Sequence, residues 1–259
     1  IESPRKSTSK RLFMTIGSVA AIAAIFILIN ITGILPQHTP GNSGESALLT
    51  LHTNIGETTE LRLPDGSKVW LNQSSNVRYP ETFTGNTREI YLEGEAFFDI
   101  APNADKPFII HAGNTQTRVV GTSFGIRAVK ESDEVTVTVS TGIINFSAEG
   151  KPDHIELRQG EQGICNTEKQ ILEKNANADP NYLAWKTKVL VFKQSTLTEV
   201  AKVIENVYHI PVSVDGTVAN LEITSTFDQL GVDEIMQIIE LTLGVKIENG
   251  DKGFVISKE

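Results

Sequence analysis

Leu12 to Ile31, LFMTIGSVAAIAAIFILINI, is a run of twenty residues without one charge. A helix rising about 1.5 Å per residue carries such a run across the roughly 30 Å hydrocarbon core of a bilayer. Only a helix satisfies its own backbone donors and acceptors there, so the run is expected to be a single membrane-spanning helix. Arg5, Lys6, Lys10 and Arg11 stand just before it, and the next cation after it is Arg62. That asymmetry puts the N-terminal end in the cytoplasm and everything beyond about residue 35 on the far side. A cleaved signal peptide would have a shorter apolar core with its small-residue site beyond it, whereas Ala21 and Ala23 fall mid-run. A buried helix of a soluble domain would turn a polar face to water, and this run has none.

The anchor divides the rest. Residues 1–11 are expected to be a cytoplasmic stub, too short to fold, with further cytoplasmic sequence upstream of Ile1. Setting aside Arg5, Lys6, Lys10, Arg11 and Glu2 from 23 basic and 32 acidic residues leaves the outer part at −12. Such an exterior argues against direct nucleic-acid binding, which needs clustered cations. One cysteine, Cys165, rules out an intrachain disulfide.

Residues 32–47 are rich in Gly, Pro, Ser, Thr and Asn and are expected to be a linker. From 48 to 164, short segments alternating apolar with polar follow one another, with no helix of ten residues among them. Lys68–Leu71, Arg88–Leu92, Ala96–Ile100, Phe108–His111, Glu134–Val139 and Gly142–Phe146 are examples. Leu61–Leu63 and Lys68–Leu71 are expected to be joined by a turn through Pro64-Asp65-Gly66-Ser67. The rhythm indicates an all-β domain, a sandwich, a barrel or a β-solenoid, without choosing among them. Residues 165–184 turn polar, Asp179-Pro180 interrupts them, and a second linker is expected.

Residues 185–259 change rhythm. Thr196 and Glu199 fit a capping box, and Leu197, Val200, Ala201, Ile204 and Tyr208 share one helical face. A second amphipathic helix is expected at 233–243, stopped by Gly244, with a hairpin turning at Asn249-Gly250. The order is β-α-β-β-α-β-β, a small α+β domain.

No catalytic cluster emerges. The five histidines are scattered, no H-E-x-x-H, G-x-S-x-G or Walker A motif occurs, and Cys165 has no activating context. No cofactor, metal or catalytic residue is nominated, and no enzyme is expected. Glu93 and Glu95 could imitate a glycosidase pair on one strand face, but flanking Gly94 they suit the solvated ends of a turn better. Trp70, Tyr91, Phe97, Phe98 and Trp185 could stack on a glycan, and at strand spacing they suit a core better.

Several motifs in one order carry a resemblance. They are Leu63-Pro64-Asp65-Gly66-Ser67-Lys68-Val69-Trp70-Leu71-Asn72, then Arg88 through Glu93-Gly94-Glu95-Ala96-Phe97-Phe98-Asp99-Ile100. Pro107-Phe108-Ile109-Ile110, Val120-Gly121-Thr122-Ser123-Phe124-Gly125-Ile126, Val139-Ser140-Thr141-Gly142 and Leu157-Arg158-Gln159-Gly160-Glu161 follow. This stretch resembles the periplasmic region of FecR-type anti-sigma factors. Residues 185–259 are similar to the C-terminal module that accompanies it, itself similar to the small STN-like domain of secretins and TonB-dependent transducers.

The resemblance implies a β-solenoid-like body plus the small α+β domain, held at the inner membrane with both domains periplasmic. It implies two partners. One is the signalling domain of a TonB-dependent outer-membrane transporter; the other is an extracytoplasmic-function (ECF) sigma factor, held by a cytoplasmic segment upstream of Ile1. Asp65, Gly66, Gly94, Glu95, Phe97, Phe108, Gly121, Thr122, Phe124 and Gly142 are the family-motif positions, read as shape residues, with the glycines where strands turn. An anchored glycan-binding or glycan-cleaving protein, and a scaffold joining a secretin-like ring, are the alternatives.

Overall fold

The computed structural model describes residues 47–130, 132–250 and 252–259. The expected stub at 1–11, the membrane helix at 12–31 and all but the last residue of the 32–47 linker lie outside the described residues. Among the described residues, no helix is long and apolar enough to cross a membrane. Ser46–Glu259 is one compact unit.

Thirteen strands build the first lobe: β1 (Leu48–His52), β2 (Thr59–Arg62), β3 (Lys68–Leu71), β4 (Asn76–Pro80), β5 (Arg88–Asp99), β6 (Phe108–Ala112), β7 (Thr115–Val119), β8 (Ser123–Ala128), β9 (Glu134–Thr141), β10 (Ile143–Ala148), β11 (His154–Arg158), β12 (Gln162–Asn166) and β13 (Ile171–Asn175). They form two layers. One runs β1-β4-β5-β6-β7-β10-β11 and the other β2-β3-β5-β8-β9-β12-β13. Val69, Ile90, Phe98, Phe108, Phe124, Val137, Ile144 and Phe146 fill one core between them. A Cβ on Gly163 of β12 would strike Leu157 and Phe146 of the opposite layer, which shows how closely the layers face each other. The body is therefore a sandwich. The solenoid expectation fails because a solenoid stacks parallel rungs, whereas here only β5 and β6 pair in parallel.

The two layers share β5. Tyr91–Glu93 pair with β4 and Arg88–Leu92 with β6, whereas Gly94–Asp99 pair with β8 and Ala96–Asp99 with β3. The changeover falls at Gly94, whose φ is +102°. Strands that switch layers do so at such local bends. The expected turn at Glu93-Gly94-Glu95 is thus the middle of one twelve-residue strand. A Cβ on Gly94 would lie 2.3 Å from Ser75 Oγ and 2.7 Å from the Ser75 Cα. Gly94→Ala is therefore expected to cost about 2–4 kcal/mol in chemical denaturation, from backbone strain plus overpacking. A loss below about 1 kcal/mol would mean that the bend tolerates a side chain.

The expected linker at 165–184 also needs correcting. Gln162–Asn166 and Ile171–Asn175 pair as a hairpin at the edge of the second layer. Cys165 is fully buried in it, and burial pushes its thiol up, away from the reactive thiolate.

The second lobe contains the short α1 (Ala184–Thr187), then β14 (Val189–Thr196), α2 (Leu197–Tyr208), β15 (Val212–Val214), β16 (Glu222–Asp228), α3 (Val232–Leu243), β17 (Val245–Gly250) and β18 (Gly253–Lys258). From β14 onward the order is the expected β-α-β-β-α-β-β. Thr196 caps α2 reciprocally with Glu199, and Gly244 ends α3 in the left-handed conformation. The helices contact both a two-stranded sheet, β14-β16, and a three-stranded sheet, β15-β18-β17. Leu190, Phe192, Ile204, Phe227, Ile235, Ile239 and Ile256 form their common core. The last hairpin closes later than expected, because Asn249 and Gly250 still pair with Phe254 and Gly253.

Candidate functional site

The motif residues fall into three groups in the first lobe. Around Asp65, the turn that includes Gly66 ties three segments together. Arg88 Nη1 donates to Asp65 Oδ2 at 2.6 Å and to the Ala101 carbonyl at 2.8 Å, and Nε donates to the Lys106 carbonyl at 2.8 Å. Ser67 donates its hydroxyl to Asp65 at 2.7 Å and accepts the Ala101 N–H at 3.0 Å. Arg88 is 2 % exposed, and its guanidinium lies 5.2 Å from the Phe108 ring centroid. That contact turns a cation whose Nη2 has no hydrogen-bond partner among the described residues toward a ring's negative face.

The second group is a corner. Thr122 Oγ1 donates to the Ile143 carbonyl at 3.0 Å, Gly142 abuts Thr122, and Gly121 abuts Pro102. Phe124 stacks on Phe98 at 5.3 Å within the core.

The third group meets the second lobe. Glu95, 8 % exposed, accepts hydrogen bonds at Oε2 from Asn72 Nδ2 and Arg127 Nη1, both at 3.0 Å. The bend at Gly94 separates it from its neighbour, for Glu93 is exposed. They are no matched pair of carboxylates. Burial pushes the Glu95 carboxyl up even though Arg127 and Asn72 pull it down. A carboxyl raised above its unfolded value of about 4.3 gives the folded state the tighter hold on the proton. Its contribution is full below that value and is lost as pH rises through the folded pKa. Glu95→Gln removes the titration, so the variant's melting temperature relative to wild type is expected to climb as pH rises from about 4. A difference independent of pH would contradict this.

The lobes join on the outer face of the second layer. Lys186 Nζ lies 4.2 Å from the Trp70 ring centroid and 5.5 Å from that of Phe97. Trp185 and Phe97 are buried, and the Tyr182 ring lies against Gly125. Tyr91, half-buried, has His111 stacked at 4.9 Å and the Arg78 guanidinium 5.0 Å from its centroid. The aromatic residues considered for glycan stacking are therefore buried or engaged by neighbouring side chains. The engaged positions that sequence reasoning missed are Asn72, Arg127, Asn181 and Lys186. Arg88 left a signal, an arginine in phase with Ile90 and Leu92 on the core face of a strand.

The second lobe offers a different kind of surface. Its two sheets have four outer edges, and three are capped by side chains. Asn181 bonds both the N–H and the carbonyl of Val191 on β14, at 2.7 and 2.8 Å. Glu205 takes the Val212 N–H of β15 at 2.7 Å, and Glu240 takes the Ile247 N–H of β17 at 2.9 Å. β16 has no such cap among the described residues. Val191 turns its polar groups outward, so its antiparallel partner Thr226 must do the same on the far side. Thr224 and Asp228 follow by alternation. α3, packed on β16, leaves Ile238 38 % and Leu241 78 % exposed. An uncapped edge is a template for an added strand.

The FecR protein family model matches residues 50–145, and the FecR C-terminal model matches residues 189–256. The chain belongs to the FecR family. The first match runs through β1–β10 and the second through β14–β18, so the junction residues Asn181, Tyr182 and Trp185 lie between them. Two crystal structures of a candidate anti-sigma factor from Parabacteroides distasonis are each 27% identical to it, with a TM-score of 0.66. The alignment covers 82% of this chain and 100% of that one. No curated protein matches it. Within this FecR framework, Asp65, Phe108, Thr122 and Phe124 brace the sandwich, and Glu95 and Phe97 face the second lobe.

Proposed function

We propose that this chain regulates an ECF sigma factor, is anchored in the inner membrane through Leu12–Ile31, and receives its signal through its C-terminal lobe. The observation that carries the reading is the succession of the two FecR matches, joined by the likeness to a candidate anti-sigma factor along the whole of its crystallised chain. The input is the signalling domain of a TonB-dependent outer-membrane transporter, which adds a strand to the edge of β16. Main-chain hydrogen bonds supply affinity in such pairings. The sigma factor is bound by cytoplasmic sequence upstream of the anchor.

The test is transcription from a promoter of that sigma factor, with and without the inducing transporter. Deleting residues 185–259 is expected to abolish the response to the transporter. An undiminished response would remove the second lobe from the pathway.

A further inference from the structure

A cleft of 310 Å³ opens where the two lobes meet, and neither the family assignment nor the signalling role gives it a purpose. Its floor is the outer face of the second layer, with Glu95, Phe97, Arg127 and Thr138. Its roof is Tyr182 and Trp185 of the junction, with Lys202, Val203 and Asn206 of α2. Clefts of this size between domains, part apolar and part polar, are the usual seats of small ligands.

The charges in it are arranged unequally. Glu95 spends Oε2 on Asn72 and Arg127, while its other oxygen, Oε1, accepts no hydrogen bond from any described residue. That oxygen belongs to a carboxylate otherwise withdrawn from water, in a wall of the cleft. Burial raises the Glu95 carboxyl despite the adjacent guanidinium, so the site still favours an added positive charge. Arg127 gives one nitrogen to Glu95 and keeps the rest of a half-exposed fork for a second carboxylate. Lys202 adds another cation on the opposite side. Phe97, Trp185 and Val203 supply apolar wall in the same cleft.

We propose that this cleft binds a small zwitterion of the amino-acid class, its ammonium on Glu95 Oε1 and its carboxylate on Arg127 and Lys202. An apolar side chain would lie along Phe97 and Trp185. Such a ligand touches both lobes, so its occupancy favours the arrangement in which they meet by mass action. The inference is independent of the transporter contact at β16, and either can fail without the other.

The test is calorimetry on residues 46–259 with each proteinogenic L-amino acid in turn. The N-acetyl and carboxamide derivatives of the best binder then report on each charge. At least one amino acid is expected to saturate the site with a Kd below about 1 mM, and each derivative is expected to bind at least tenfold more weakly. Lys202→Ala, at an exposed helix position, should weaken binding severalfold without changing the melting temperature of the free protein. Glu95→Gln should abolish discrimination between the amino acid and its N-acetyl form. Absence of saturable binding by every amino acid, or equal binding of the derivatives, would overturn the proposal.

Discussion

Arg88→Ala is expected to destabilise the compact unit by about 3–5 kcal/mol, the largest single-residue effect anticipated in the sandwich. The substitution removes more than an ion pair. It strips Asp65 of its cation, leaves the Ala101 and Lys106 carbonyls without their donor, and uncovers Phe108. The cost arises chiefly from partners left buried and unpaired, not from the worth of the pair itself. Arg88→Lys should recover only part of it, because an ammonium cannot reproduce the planar fork that reaches three oxygens at once. Chemical denaturation of residues 46–259 reads both values. A loss under about 1 kcal/mol for alanine, or full recovery by lysine, would mean that the network contributes little.

Thr226→Pro is expected to weaken the proposed contact with a transporter's signalling domain about a hundredfold while leaving the fold in place. The two halves of that expectation have one cause. Thr226 points its N–H away from β14, so proline removes no bond of the existing sheet, and edge strands tolerate it there. A strand added on the other side would lose that donor and meet the pyrrolidine ring. One net hydrogen bond, about 1 kcal/mol, plus a clash of about 2 kcal/mol comes to roughly 3 kcal/mol, or two factors of ten. Unchanged binding with an unchanged melting temperature would move the contact off β16.

What was legible in the sequence was local. Thr196 and Glu199 lie three residues apart, and Gly244 follows its helix directly, so cap and stop could be read without tertiary information. The Pro64-Asp65-Gly66-Ser67 turn was equally legible. Gly94 was not, because an acidic Glu-Gly-Glu is the composition of a turn. What makes it a bend within a strand is Ser75, nineteen positions earlier, seated against it. The β12–β13 hairpin was missed for a related reason. β13 is an edge strand with most of its side chains in water, so Ile171–Asn175 carries no clear alternation.

The candidate site was legible in kind and not in place. An edge strand in the small lobe follows from its element order. Which edge is open depends on Asn181, Glu205 and Glu240 reaching back to cap the other three. No spacing rule announces those contacts. The same holds for the cleft, since Glu95 and Arg127 read singly as ordinary strand charges, and the cleft they line exists only where Trp185 and α2 form its other wall.

The proposed relay is tested most directly by titrating residues 46–259 with the isolated signalling domain of a TonB-dependent transporter from the same organism, followed by calorimetry. The account requires saturable one-to-one binding that Thr226→Pro removes and Lys202→Ala leaves intact. Absence of binding at high micromolar concentration, with both proteins folded, would contradict it.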